Sequence, residues 1–265
     1  MPATITAVIP CFGASATLSR ALASVGAQTR PPEETLLVDD GNPAGEARAL
    51  EAIAARFPAL NPRVVRLPEN LGVGSARNAG WAEARTGLLA FLDADDAWHP
   101  RKLELQAAAM EARPEVVLCG HRLRVLGPGE ALPPEPRGGG GVRPIRRWPL
   151  LVVNPFPTST WMLRREQSIR FVEGKRHLED HLLLMELALR DQPILGLDAE
   201  LAAFFKPALS RAGLSAQLWE MEKGELDAYA RLRTLRLLGR TGQAGLSALS
   251  LLKFARRLAV VRLLR

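Results

Sequence analysis

Apolar and polar positions alternate in blocks along the first half of the chain. Ile5–Ile9 is an unbroken apolar run that stops at Pro10, the pattern of a strand buried on both faces. Leu18, Leu22 and Val25 then fall at i, i+4 and i+7, one face of a helix. The two patterns repeat. Leu36–Val38 is a short buried strand closed by Asp39-Asp40-Gly41, and Leu50, Ile53 and Phe57 carry helical spacing. Val64–Leu67 reads as a third strand and Gly74–Arg85 as a helix ended by Gly87. Leu88–Leu92 is fully apolar and runs into Asp93-Ala94-Asp95-Asp96. Pro100 opens the next helix, where its missing N–H costs nothing, and Val116–Cys119 is a further strand. This alternation predicts an α/β fold, a mostly parallel sheet with helices on both faces.

The alternation breaks at residues 127–147. Gly and Pro cluster there, with Gly138–Gly141 uninterrupted, which fits either a flexible lid or a solvated linker. Beyond it, Thr158–Leu163 reads as a strand, Leu178–Arg190 as a helix, and Pro193–Phe205 as one or two short strands. From Leu214 onward the pattern is helical.

The 265 residues suffice for one large α/β domain with extensions or for two small domains. A chain 47% hydrophobic and 24% charged is not disordered throughout. Cys11 and Cys119 cannot make a disulfide framework and fit a reducing compartment. The first apolar run has no basic residue before it and no cleavage pattern after it, and no 18 residues are uncharged and apolar. A cytoplasmic chain without a signal peptide or spanning helix is expected.

Charge changes the picture once it is located. Residues 231–265 carry eight Arg, one Lys and no acidic residue, which leaves −2 of the net +7 on the rest. A mildly acidic body argues against a nucleic-acid binder. In the tail, Leu249, Leu252, Ala255 and Val260 stand among Lys253, Arg256, Arg257, Arg262 and Arg265. Such a helix over 245–265 can lie on an anionic membrane or pack against protein.

In an open parallel sheet, ligands bind beyond the carboxyl ends of the strands. Asp39 and Asp40 follow the second strand, and Asp93, Asp95 and Asp96 the fourth. Five converging carboxylates repel unless something compensates them, and a hard divalent cation with oxygen ligands is the simplest compensation. Capping of the helix at Pro100 would account for one Asp, not three.

Four segments, Val8-Ile9-Pro10-Cys11-Phe12, Leu37-Val38-Asp39-Asp40-Gly41-Asn42, Asn70 through Asn78 and Phe91 through Pro100, carry a resemblance. Their sequence and order resemble family 2 glycosyltransferases of the GT-A fold, over roughly residues 1–220. The resemblance implies a nucleotide-sugar-binding half at 1–126 and an acceptor-side half at 127–213; the charge and helical pattern add a basic helical extension at 214–265. It implies that Pro10 and Phe12 line the nucleotide pocket and that Asp40, beside Asp39, hydrogen-bonds the base. Asp93-Ala94-Asp95 matches the family's Asp-x-Asp motif. Asp95 would ligate Mg²⁺ or Mn²⁺ on the diphosphate, Asp93 would meet the ribose or the metal shell, and Arg77 would approach the phosphates or support the Asp loop. Where the family has a polar residue soon after the aromatic, this chain has Gly13-Ala14.

Sugar transfer also needs a base for the acceptor hydroxyl. In His177-Leu178-Glu179-Asp180-His181 the Glu-Asp pair resembles that of inverting members, with Asp180 as base and Glu179 orienting it. Acidic residues also favour a helix's first turn for dipole reasons. His177 and His181 share a helix face as metal ligands do, but the inverted zinc-protease motif needs Glu where Asp180 stands. Gly72-Val73-Gly74 resembles a dinucleotide fingerprint, yet it follows the wrong strand and has Arg77 where the third glycine belongs. Lys206 and Arg211 stand in the sequence where the family places a basic loop near the diphosphate; the alternative reading is surface charge. Ser159 and Thr160 are candidates for sugar contacts, whereas Trp98 and Trp161 suit the core. The expected function is metal-dependent inverting transfer from a nucleotide-diphosphate sugar, a UDP-sugar, to a glycan or lipid-linked hydroxyl in surface polysaccharide synthesis. The alternative is a non-catalytic nucleotide-sugar-binding protein on the same fold.

Overall fold

β1 (Ile5–Cys11) is buried along its whole length, as an apolar strand between two parallel neighbours must be. It is the centre of the parallel half of the sheet in this computed structural model, which describes residues 2–127, 130–205 and 218–263, and side chains to residue 259. β2 (Glu34–Asp39) and β4 (Leu88–Phe91) flank β1, and β3 (Arg63–Arg66) lies outside β2, all parallel. The crossovers are α1 (Leu18–Gly26), α2 (Ala44–Ala54) and α3 (Val73–Glu83).

Past β4 the sheet changes character. The remaining strands are β5 (Asp96–Trp98), β6 (Leu118–Val125), β7 (Val142–Pro144), β8 (Met162–Arg164) and β9 (Ile194–Phe204). The full order is β3-β2-β1-β4-β8-β6-β9-β5, with β7 also on β9. The strand expected over Val116–Cys119 becomes β6 and does not sit beside β4. β8 comes between them, antiparallel to both, and β5 and β7 run antiparallel to β9.

Apolar clusters fill both faces of the sheet. Leu18, Leu22 and Val25 of α1 and Leu103 and Met110 of α4 (Lys102–Glu111) pack on Ile5, Ile9 and Leu37. On the other face Trp81, Phe91, Trp161 and Phe171 meet Leu183, Leu184 and Leu187 of α6 (Glu179–Leu189). Trp98 and Trp161 are both in the core, as expected.

Three local expectations change. Thr158–Thr160 is a 3₁₀ turn, not the start of a strand, because Thr160 Oγ1 donates to Pro157 O and offers the backbone an alternative to a ladder. Residues 127–147 are neither a free lid nor a linker where described. They lay β7 along β9, and Glu200 N donates to Arg137 O. Gly138 there has φ 127°, and a Cβ would fall 2.2 Å from Asp198 O, so only glycine fits. α3 ends at Glu83, with Ala84 already extended, so Gly87 does not close the helix.

After a short α5 (Arg147–Leu150), the chain ends in a helical hairpin, α7 (Leu218–Thr234) and α8 (Arg240–Leu263). Leu151, Leu182, Met185, Ala228, Tyr229 and Leu232 dock it on α6. Lys253 and Arg257 point inward to Glu225 and Glu222, while Leu249, Leu251, Leu252 and Arg256 are exposed. Lys206, Arg211 and Leu214 lie outside the described residues, as do the side chains of Val260, Arg262 and Arg265. Among the described residues no helix is long and apolar enough to cross a membrane.

Candidate active site

The ends of β1 and β2 are tied together by short polar side chains. Asp39 accepts from Asn42 N at 2.9 Å and Asn42 Nδ2 at 2.8 Å, and Asn42 Nδ2 also reaches Cys11 O at 2.9 Å. Asp40 accepts from Leu71 N at 2.9 Å and Gly72 N at 3.0 Å. Gly41, at φ 68°, makes this turn possible, since a Cβ would fall 2.2 Å from Glu69 C. Asp39 and Asp40 are buried, so their first task is to hold the loops around this strand end. Pro10 is buried inside β1, whereas Phe12, just past it, leaves 55% of its surface in water.

Arg77 joins the two acidic motifs. It enters on α3, whose first residue follows Gly72 at φ 90°. Its guanidinium donates to Asp93 Oδ1 at 2.7 Å and to Glu179 Oε1 at 2.9 Å, with the arginine side chain only 3% exposed. Burial disfavours its charge, but Asp93 and Glu179 outweigh that and raise its pKa. Gly74 makes the approach possible, because a Cβ there would press on Glu179 Cγ at 3.2 Å. The glycines that resemble a dinucleotide fingerprint therefore admit a helix entry and a carboxylate.

The Asp-x-Asp loop is fixed from below. Ser159 Oγ donates to Asp96 Oδ2 at 2.6 Å and accepts from Asp93 N at 3.0 Å, and Arg20 donates to Asp95 O at 2.5 Å. Ser159 and Thr160 are fully buried and turn away from a sugar: Ser159 braces this loop, and Thr160 Oγ1 donates to Pro157 O. Asp96 is buried with Ser159, whereas Asp93 and Asp95 are both partly exposed, so these two are the carboxylates that could meet a cation. Among the described residues no three His, Cys, Asp or Glu side chains cluster as a metal cage. Two carboxylates on one turn are oxygen donors of the kind Mg²⁺ or Mn²⁺ would take, and Asp93 and Asp95 would hold it.

The Glu-Asp pair opens α6. Leu178, at its N-cap, is held at φ 54°, a conformation costly for a branched residue. Asp180 Oδ1 accepts from His181 N at 2.7 Å, and Oδ2 from Asn154 Nδ2 at 2.8 Å. Burial raises the pKa values of Glu179 and Asp180, with Arg77 opposing. His181 turns away from any metal, its Nε2 lying 2.7 Å from Leu150 O. Asn154 gives no signal in the sequence, because its partner is 26 residues away.

The family model of glycosyl transferase family 2 matches residues 6–170. The amylovoran biosynthesis glycosyltransferase AmsE of Erwinia amylovora is 32% identical over 185 residues, 68% of this chain and 67% of that protein. The succinoglycan biosynthesis protein ExoO of Rhizobium meliloti is 29% identical over 198 residues, 70% of this chain but only 52% of its own length. Among solved structures, TarS 1–349 of S. aureus in complex with UDP-GlcNAc superposes with a TM-score of 0.68 at 19% identity, over 94% of this chain and 71% of that one. The sheet and its covering helices are thus those of the GT-A fold. With the family's motifs gathered at one strand edge and its model matched across most of the chain, the protein belongs to glycosyl transferase family 2 and is a glycosyltransferase.

Proposed function

We propose that the chain transfers a sugar from a nucleotide-diphosphate donor, a UDP-sugar, to a hydroxyl of a glycan or lipid-linked acceptor in surface polysaccharide synthesis, with inversion at the anomeric carbon. The carrying observation is the Arg77 bridge, which puts Asp93 of the donor motif and Glu179 of the acceptor motif on one guanidinium. Phe12 and Pro10 border the base, and Asp39 and Asp40 shape the loops beside it. Lys206 and Arg211 belong to this reading as cations for the diphosphate. The names of AmsE and ExoO support polysaccharide synthesis, and the UDP-GlcNAc complex of TarS supports a UDP-sugar.

Asp180 takes the proton of the acceptor hydroxyl as its oxygen bonds to the anomeric carbon. The bond from that carbon to the diphosphate oxygen breaks on the opposite face, and the diphosphate leaves with the electron pair. Such base help is worth roughly 10²–10⁴-fold. Glu179, locked by Arg77, holds the helix entry that carries Asp180. A divalent cation at Asp93 and Asp95 supplies positive charge for the leaving diphosphate.

The outward face of α8 also supports peripheral contact with an anionic membrane. Leu249, Leu251 and Leu252 are exposed beside Arg256, and Arg231, Arg233, Arg236 and Arg240 are exposed around the hairpin turn. A thermal-shift panel of UDP-sugars with and without Mn²⁺ tests the donor reading. A Mn²⁺-dependent rise with a UDP-sugar, absent in Asp95→Ala, is expected. Equal stabilisation in Asp95→Ala contradicts the metal assignment.

A further inference from the structure

α5 is a single turn: Trp148 O and Pro149 O accept from Leu151 N, Val152 N and Val153 N, and the next three carbonyls turn to side chains. Side chains from three other helices reach three consecutive carbonyls there. His181 Nε2 of α6 lies 2.7 Å from Leu150 O, the Tyr229 hydroxyl of α7 lies 3.0 Å from Leu151 O, and Lys253 of α8 donates to Val152 O at 2.9 Å. Two residues further on stands Asn154. Its Oδ1 accepts from Phe156 N at 3.0 Å, which leaves Nδ2 to donate to Asp180 Oδ2 at 2.8 Å. One oxygen of Asp180 is therefore set by its own helix and the other by this loop.

The far end of the assembly is ionic. Glu225 accepts from Lys253 at 2.7 Å and lies 2.9 Å from the Tyr229 hydroxyl, whose one proton serves either Glu225 or Leu151 O. Next to it, Glu222 is fully buried against Ser250 and Arg257. Apolar contacts already dock α7 on α6. The Lys253–Glu225 pair is half-buried, so it adds little stability, but it fixes geometry. Here that geometry leads from α8 through Val152 to the carboxylate at the head of α6.

We propose that the α7–α8 hairpin positions the catalytic carboxylate, with Lys253, Tyr229 and Glu225 setting Leu151 and Val152 so that Asn154 aims Asp180. This rests on Asp180 being the base. Asn154 and Lys253 are positioning residues, acting through Asp180 and touching neither donor nor acceptor.

The test uses the full chain, UDP-GlcNAc hydrolysis in Mn²⁺ as the probe reaction, and the ¹⁵N side-chain amide signal of Asn154, assigned by its loss in Asn154→Asp. Asn154→Ala and Lys253→Met each lower kcat about tenfold with KM for the donor within twofold, and the double variant is no worse than the weaker single. Lys253→Arg recovers most of the rate, and Lys223→Met, exposed on α7 of the same hairpin, changes nothing. The Asn154 amide signal moves toward that of a solvated amide in Lys253→Met and stays in place in Lys223→Met. An unmoved signal in Lys253→Met, or a melting temperature that falls while kcat holds, overturns the proposal. Asp180→Asn run alongside separates the two readings. Parental turnover there sinks the base assignment, while the Asn154 signal still reports whether the hairpin positions the loop.

Discussion

Arg77 is the residue on which the two halves of the site depend. Two charge-assisted bonds to carboxylates of different motifs use its planar fork, which a lysine cannot reproduce. Arg77→Met leaves Glu179 uncompensated at a buried position, with the partly exposed Asp93 unpaired beside it, and breaking such a buried pair costs about 3–5 kcal/mol. Urea unfolding of Arg77→Met should show a loss of that size, and Arg77→Lys should recover stability but not full turnover. A loss below about 1 kcal/mol in Arg77→Met would mean that the bridge is not what holds the motifs together. Asp180 gives a pH prediction. Burial raises its pKa, and a base must be ionised, so turnover should climb with pH through a limb above about 4, the usual carboxylate value. A rate flat from pH 4 to 8 contradicts this.

At the scale of elements, runs with one dominant partner were readable. β1 and α1 follow from Ile5–Ile9 and from the Leu18, Leu22, Val25 spacing, because burial on one sheet dictates both patterns. β5 was not readable. Asp96-Ala97-Trp98 carries the acidic loop's own hydrogen bonds, and only pairing with Phe204, Ala203 and Ala202 makes it a strand. Likewise Ser159 and Thr160 look like exposed sugar ligands until Asp96 and Pro157 are seen to occupy them. The Asp-x-Asp and Glu-Asp pairs stood out through the family resemblance, whereas Asn154 and the role of Gly74 depend on contacts far apart in the chain. α8 was legible as basic and amphipathic, but not in its orientation, because Glu222 and Glu225 draw Lys253 and Arg257 inward. Its remaining outward face gives a test. Leu252→Glu should abolish cosedimentation with vesicles containing phosphatidylglycerol, and binding equal to that of the parent would place the face elsewhere.

For the molecule as a whole, three buried histidines set a pH dependence of stability. His99, His121 and His181 all have pKa values lowered by burial, so the folded chain keeps them neutral where the unfolded chain binds protons. Their contribution is present above the unfolded value of about 6.5 and is lost as pH falls through it. The urea midpoint should therefore rise from pH 5.5 to 7.5, and His121→Gln should flatten that rise. An unchanged slope in His121→Gln would contradict it. The whole account turns on a single arrangement: donor-side and acceptor-side carboxylates facing one another across Arg77, with Asp180 the group that takes the proton. The most direct measurement is a paired one on Asp180→Asn, UDP-sugar binding by calorimetry in Mn²⁺ and sugar transfer by release of UDP. Donor affinity within about threefold of the parent with transfer reduced at least 10²-fold is the predicted result. Transfer at the parental rate would contradict it.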